Sequence, residues 1–173
     1  EAPRIASQAV EKVKAPTTKP GLYDLVLDPE QLSLTMHESC GHPSELDRAL
    51  GYEANYAGTS FLTTEKRGTY RYGSPHVNLV ADNTEPETLA STGYDDDEVA
   101  CQRWDIVRDG IFVGYCTNRE VAPKIGETRS RGSNRADSWG SVPIVRIANI
   151  GLEPGTATLD NLLADVKRGI YIE

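Results

Sequence analysis

The sequence predicts an α+β fold with a largely antiparallel sheet. Strand-like segments follow one another through the middle of the chain, and helical segments are scattered before and after them. Such runs are typical of α+β proteins, whereas strict alternation of strand and helix would indicate a parallel sheet. The Asp109-Gly110 pair between two apolar runs is a strong hairpin signal, and hairpins join antiparallel strands.

The first segments predict a helix, a linker, a strand and a second helix, in that order. Residues 3–14 place apolar side chains at helical spacing, and residues 15–21 carry the prolines and small polar residues of a linker. The apolar run 22–27 predicts a strand. Asp28-Pro29 then predicts a helix start, because Asp can accept from a free backbone N–H and Pro fits the first helical position.

The rest of the chain predicts more strands and one further helix. Between them, the polar, Gly/Ser/Arg-rich segment 127–141 predicts a mobile loop. The predicted strands are 77–81, 103–107, 111–115 and 142–150, and a helix starting near Thr158 is followed by the beginning of a strand at 170–172.

Composition excludes several classes of protein. The chain has 173 residues, with 26 Asp and Glu against 18 Lys and Arg, which argues against a nucleic-acid-binding surface because affinity for phosphate chains comes mainly from Lys and Arg. No stretch approaches the roughly 18 uninterrupted apolar residues of a membrane span. The three cysteines have no C-x-x-C spacing, which favours reduced thiols and a cytoplasmic location.

One segment of the second predicted helix carries candidate catalytic chemistry. His37 and His42 are two of only three histidines in the chain, and Glu38 directly follows the first. Imidazole is a preferred zinc ligand, and a catalytic zinc takes three protein ligands and a water. A glutamate beside a ligand can accept a proton from that water and pass it to a leaving amine.

The spacing of the two histidines predicts an irregular helix. Residues at i and i+5 lie about 140° apart around a regular α-helix, so His37 and His42 would face different surroundings. Gly41 tolerates unusual dihedral angles and Pro43 has no N–H to donate, so a π-bulge or a kink at 41–43 could absorb the extra residue. The alternative is two unrelated histidines near a helix end.

The segment His37–Asp47 resembles the TldD/PmbA metallopeptidase family, and specifically its TldD-type members. It contains the pattern H-E-x-x-x-H followed by Glu45 and Asp47. The likeness extends over essentially the whole chain. Further similar blocks are 24–36, 77–82, 94–98, the P-x-x-R-x-x-N strand at 143–149, and the final helix with Arg168–Tyr171.

The resemblance implies a zinc-dependent peptidase. His37 and His42 match the family's two zinc-binding histidines and Glu38 its catalytic glutamate. The family's third ligand is a cysteine of a C-G-K-type motif, which does not occur here and is expected beyond residue 173. Cys40 is predicted to be a packed apolar residue, because it cannot easily converge with both histidines.

The resemblance also implies how the chain is organised. Residues 1–20 are expected to be a helix and linker from a preceding region, and residues 21–173 the N-terminal part of the metallopeptidase domain. The fold would then be an incomplete domain with unpaired strand edges. Peptides or unfolded chains are the implied substrates, in the cytoplasm, with a homo- or heterodimer of family members as the assembly.

Two other functions remain open from the sequence. A non-catalytic partner or regulatory subunit of a TldD/PmbA-type complex would share the fold, but such proteins typically lack the intact H-E-x-x-x-H. A metal-free binding domain would require that the two histidines lie far apart in space.

Several charged residues have both a structural and a functional interpretation. Glu45 and Asp47 could orient the histidine rings or lie on a helix surface. Arg146, a charge in an apolar strand, could bind substrate or form a structural salt bridge. The acidic run 95–98 lacks the ligand spacing of a calcium loop and is expected to be a solvated turn. Arginines 129, 131 and 135 are expected in a solvated loop, with binding of a peptide carboxylate as the alternative.

Overall fold

Helices and strands occur in the order predicted, with one short helix and one short strand in addition and one predicted strand divided in two. A computed structural model describes all 173 residues. The helices are α1 (Ala2–Val13), α2 (Pro29–Met36), α3 (Leu46–Ala49) and α4 (Leu159–Ala164). The strands are β1 (Asp24–Leu27), β2 (Leu79–Asp82), β3 (Arg103–Arg108), β4 (Ile111–Phe112), β5 (Asn134–Arg135), β6 (Ile144–Val145), β7 (Ile150–Leu152) and β8 (Gly169–Ile172).

The largest sheet is antiparallel and has the strand order β4-β3-β2-β7. Asp109 and Gly110 connect β3 to β4 with φ angles of 49° and 76°. Two successive positive φ angles form the hairpin turn whose twist matches that of the strands, and Gly adopts them without steric cost. The mixed helix and strand content and the antiparallel sheet confirm the predicted fold class.

The structure divides one predicted strand and contains one strand pairing that was not predicted. The segment predicted as one strand at 142–150 forms β6 and β7, which belong to different sheets. Between them the backbone leaves the ladder, because Ile147 N–H donates to the Glu45 carboxylate and Asn149 N–H donates to the side chain of Asn83. In addition, β1 pairs with β8 in parallel, a contact between distant segments that local patterning does not encode.

The segment predicted as a mobile loop at 127–141 is anchored to the protein. Ser130, Ser133 and Asn134 are buried, and β5 pairs with β6. Ser130 Oγ–H donates to the Thr117 carbonyl at 3.0 Å, and Ser133 Oγ–H donates to the Arg146 carbonyl at 2.6 Å. Polar side chains can be buried here because each has a hydrogen-bond partner.

The apolar core lies on the sheet and beneath the histidine segment. Phe112 and Tyr115 pack edge to face with ring centroids 4.8 Å apart, and both are fully buried. Tyr115 Oη–H donates to the Leu62 carbonyl at 2.6 Å, which satisfies the polar end of the ring. Helices α1, α2 and α4 have no buried residues. None of the helices combines the length and the apolar character needed to cross a lipid bilayer.

Candidate metal centre

The two histidines lie on one side of a π-helical turn. Asp28 begins α2 by accepting from the Glu30 N–H at 2.9 Å, and Pro29 occupies the first turn. The helix then widens into a π turn at His37–Gly41, in which His42 N–H donates to the His37 carbonyl. A bond from i+5 to i closes a turn of five residues, so His42 lies above His37. The irregularity predicted from the spacing is therefore confirmed.

Gly41 serves a different purpose from the one predicted. Its φ of −65° is ordinary helical backbone, so its conformational freedom is not used. A Cβ atom at this position would lie 3.1 Å from Cγ2 and 3.3 Å from Cδ1 of Ile147. The absence of a side chain thus lets the π turn pack closely against the segment between β6 and β7.

The structure brings His37, Glu38 and His42 together. One ligand atom from each lies within 4.8 Å of the others, and the two imidazole rings are 4.6 Å apart at an interplanar angle of 87°. His37 and Glu38 are exposed, so solvent and ligands can reach the cluster. A metal-free binding domain would require the two histidines to lie far apart, and they do not.

This donor set fits zinc. Two nitrogens bound to one tetrahedral zinc at about 2.0–2.1 Å lie about 3.4 Å apart, which is compatible with ligand atoms that all lie within 4.8 Å of one another. Two imidazoles and a carboxylate are also ligand types that zinc accepts.

Glu45 is placed to orient the His42 ring. Its carboxylate is completely buried, and Oε1 lies 3.2 Å from His42 Nδ1. Arg48 Nη2 lies 3.3 Å from the same nitrogen but pairs with Glu45 Oε2 at 2.8 Å, so we assign the Nδ1 proton to the bond with Glu45. This tautomer leaves the Nε2 lone pair of His42 free for a metal.

Arg48 compensates the buried charge of Glu45, a role that the sequence did not predict. Besides its ion pair with Glu45, it donates to the Ala57 carbonyl at 2.9 Å. A buried carboxylate is costly unless it is paired and hydrogen-bonded. The position of an arginine three residues after Glu45 on a helix is the signal that could have indicated it.

Asp47 makes no hydrogen bond with either imidazole. Its carboxylate accepts from Arg48 N–H at 2.7 Å and from Val145 N–H at 3.0 Å, and so ties α3 to β6. The pKa of Asp47 is raised to about 6, chiefly by burial away from water and in smaller part by the charges of Glu45 and Glu53, against the lowering effect of the two backbone hydrogen bonds. Asp47 therefore supports the protein framework beside the site.

The cysteines lie outside the cluster. Cys40 is buried, its Sγ accepts from Tyr72 Oη–H at 3.1 Å, and burial raises the pKa of its thiol. Cys116 is fully buried, and burial raises its pKa to about 11. Cys101, which lies between them in the sequence, is likewise a free thiol. Cys40 therefore packs as a small apolar residue, as predicted.

The acidic run is a structural turn. Asp95 accepts from the backbone N–H groups of Asp97, Val99 and Asn134, and Asp97 accepts from Arg119 N–H. These bonds hold β5 against the turn. The carboxylates of Asp95 and Asp97 thus accept hydrogen bonds from backbone amides, as in a structural turn.

The arginines of segment 127–141 divide into two kinds. Arg131 forms an ion pair with Glu127 at 3.0 Å, and Arg129 makes only a long hydrogen bond to the Ala100 carbonyl at 3.5 Å. Arg135, in contrast, forms no side-chain hydrogen bond or ion pair and lines a cavity of about 340 Å³ together with His37.

Arg146 lies close to the same centre. Its Nη1 is 3.8 Å from Glu45 Oε1, the oxygen that also contacts His42, and its guanidinium lies 5.8 Å from the centre of the Tyr56 ring. With Arg135 it lines a second cavity of about 220 Å³.

The sequence matches a family model described as the PmbA/TldA metallopeptidase C-terminal domain over residues 20–173. It is 32% identical over 168 residues to a metalloprotease of Synechocystis sp., covering 97% of this chain and 35% of that protein. It is 28% identical over 169 residues to a zinc metalloprotease TldD homolog of Saccharolobus solfataricus, covering 97% and 36%. The chain thus spans about a third of the length of the curated relatives it matches.

Solved structures share this fold. A proposed modulator of DNA gyrase from Thermotoga maritima superposes with a TM-score of 0.75 at 21% identity, covering 96% of this chain and 35% of that one. TldE from Thermococcus kodakarensis superposes with a TM-score of 0.69 at 21% identity, covering 95% and 36%. At this level of identity the likeness concerns the fold alone.

Proposed function

The chain belongs to the PmbA/TldA metallopeptidase family, and from that premise we propose that it carries the zinc-binding and proton-transferring residues of a peptidase. The observation that carries the proposal is the π turn, which brings His37, Glu38 and His42 within 4.8 Å of one another. Residues 21–173 then form the N-terminal part of the metallopeptidase domain, and residues 1–20 are a helix and linker that precede it.

In this proposal His37 and His42 hold the metal through imidazole nitrogens. The family implies a cysteine as the third ligand, which we expect beyond residue 173; the three thiols of this chain lie outside the cluster. Zinc bound here supplies a Lewis acid that polarises a peptide carbonyl.

Glu38 moves the proton. Its exposed carboxylate follows the first histidine and lies within the cluster, where it can accept a proton from the attacking water. The same carboxyl group then donates that proton to the leaving amine. The free amine cannot easily re-form the bond once it is protonated, so one residue serves both halves of the hydrolysis.

Glu45 is a positioning residue in this scheme. Its contact with Nδ1 holds the His42 ring in one tautomer, and its own charge is balanced by Arg48. Such outer hydrogen bonds typically change metal affinity by about 10–100-fold when they are removed. The geometry of the centre therefore depends on α3 as well as on the π turn.

The decisive test is Glu38→Gln in the full-length protein. Gln keeps the shape of the side chain but cannot accept and release the proton, so zinc content measured by mass spectrometry should stay at one ion per site while peptide hydrolysis falls by at least about 100-fold. Glu30→Gln, an exposed glutamate at the start of α2, is the matched control and should retain both zinc and activity. Turnover retained after Glu38→Gln would exclude the assigned role.

A non-catalytic partner subunit is the second candidate, because TldE shares the fold. The two functions differ in what the intact protein holds. A partner without a metal centre should purify without stoichiometric zinc, and replacing His37 and His42 by Ala should then leave its metal content unchanged. We favour the peptidase because all three side chains are present and converge.

We also propose peptide or unfolded-chain substrates, a dimer with itself or with another family member, and a cytoplasmic location. The three free thiols fit a reducing compartment. The family is the support for the substrates and the dimer.

A further inference from the structure

Arg146 is a largely buried cation whose hydrogen-bonding capacity is almost unused. Its side chain is only 20% exposed, and a guanidinium carries five N–H donors. Its one hydrogen bond is a long contact of 3.4 Å with the Val145 carbonyl. The nearest carboxylate oxygen, at 3.8 Å, belongs to Glu45 and is already bonded by His42 and by Ile147 N–H.

Arg135 lies on the same cavity wall and forms no side-chain hydrogen bond or ion pair. Both arginines line the cavity of about 220 Å³, and Arg135 also lines the neighbouring cavity that reaches His37. Ile147, Leu89 and Ala90 are common to both cavities, so the two form neighbouring parts of one depression beside the metal centre.

The acidic residues of this wall are hydrogen-bonded to backbone amides and not to the arginines. Both carboxylate oxygens of Asp95 accept from backbone N–H groups, and Asp96 accepts from Ala136 N–H at 2.7 Å. Neither aspartate forms an ion pair with Arg135 or Arg146. Two guanidinium groups with free donors therefore face a cavity large enough for a small acidic group.

We propose that Arg135 and Arg146 bind a carboxylate of the peptide substrate in the cavity beside His37. Guanidinium groups pair with carboxylates through charge-assisted hydrogen bonds, often two at a time, which are about twice as strong as neutral ones. The carboxylate is either the C-terminus of the peptide or the side chain of an Asp or Glu near the scissile bond. This inference rests on the proposed function, since it names the substrates that the metal centre would act on.

Binding can be measured without turnover, in full-length Glu38→Gln protein, by fluorescence anisotropy. The probes are three dye-labelled pentapeptides of alanine and valine: one with a free C-terminal carboxylate, one with a C-terminal amide, and one amidated peptide with a single Glu. At least one acidic probe should bind about 10-fold more tightly than the neutral amide. The acidic probe that binds more tightly than the neutral amide shows whether the bound carboxylate is the C-terminus or a side chain.

Arg135→Gln and Arg146→Gln should each remove most of that difference while leaving binding of the neutral amide unchanged. Arg146→Lys should keep part of it, because the charge remains and the planar fork is lost. Arg129→Gln, in the same arginine-rich segment but outside both cavities, is the matched control and should bind all probes as the parent does. Arg135 is exposed, so its variant tests the proposal even if Arg146→Gln fails to fold.

Equal binding of the three probes, or a preference that survives both Gln substitutions, would overturn the inference. The outcome is separable from that of the proposed function. If the Glu38→Gln protein binds acidic probes selectively but the parent protein hydrolyses no peptide, the peptidase is refuted and the carboxylate site remains. If the parent hydrolyses peptides but binding is not selective, the peptidase remains and the carboxylate site is refuted.

Discussion

Asp47 shows how a single carboxyl group can couple the framework of the centre to pH. It is 4% exposed, and it has backbone donors but no cation as a direct partner. Burial raises its pKa from 3.8 to about 6. The native state therefore binds a proton more tightly than the unfolded chain does, which favours folding at low pH.

We expect the contribution of Asp47 to stability to fall as pH rises from about 4 to about 6. Below this range the group is protonated in both states, and above it the native protein carries the full cost of a buried charge, at most about 3 kcal/mol. Urea unfolding in the presence of EDTA should show that the advantage of the parent over Asp47→Asn shrinks across this range. The exposed Asp137→Asn is the control, and parallel profiles for the parent and Asp47→Asn would contradict the expectation.

The individual residues of the cluster could be found from the sequence, but their supports could not. His37 and His42 stand out because the chain has only three histidines, and Glu38 stands out because it directly follows the first of the pair. Arg48 does not stand out in the sequence, because it matters only as the partner of the buried charge of Glu45, and burial is a property of the folded chain.

At the scale of elements, the π turn depends on close contact with its neighbour. Pro43 and the spacing of the histidines predicted the irregularity, whereas the contact between Gly41 and Ile147 brings together residues more than a hundred positions apart. The same limit explains the split of the predicted strand 142–150. Its pattern is mostly apolar, and the side chains of Glu45 and Asn83, which accept from its backbone N–H groups and end the ladder, lie far away in the sequence.

Gly41→Ala should lower the free energy of unfolding by about 1 kcal/mol. The added methyl group would press on Ile147, and overpacking costs about 1–3 kcal/mol, partly offset by the better helix propensity of Ala. Gly140→Ala, where nothing lies within 4 Å of the added Cβ, should change stability little. Denaturant unfolding of both variants measures the difference, and equal effects would show that the Ile147 contact is not limiting.

At the scale of the whole molecule, burial is concentrated in one stretch of the chain. Every buried residue lies between Cys40 and Ala148, and the elements on either side contribute exposed apolar side chains such as Val13 and Leu162. The fold class and the order of the main elements were predictable because they follow from local periodicity. The parallel pairing of β1 with β8 was not, because it depends on contacts across almost the entire chain.

Hydrogen exchange should follow this distribution. Amides of β3, where three of the six residues are buried, should exchange at least about 100-fold more slowly than those of α1, which has no buried residue and is too short to be stable alone. Mass spectrometry of the exchanging 173-residue chain resolves the two segments. Equal protection of α1 and β3 would indicate packing of α1 that the structure does not contain.

The π turn also makes the length of its segment more constrained than its composition. Deleting one residue between the histidines would restore the i, i+4 spacing of an ordinary α-helix and keep both rings on one side. An ordinary α turn is, however, narrower than the π turn, so the backbone at Gly41 would move away from its close contact with Ile147 and the buried Ser44–Asp47 segment that follows would be displaced. Ser39, which is exposed, can be exchanged for another residue far more readily than it can be removed.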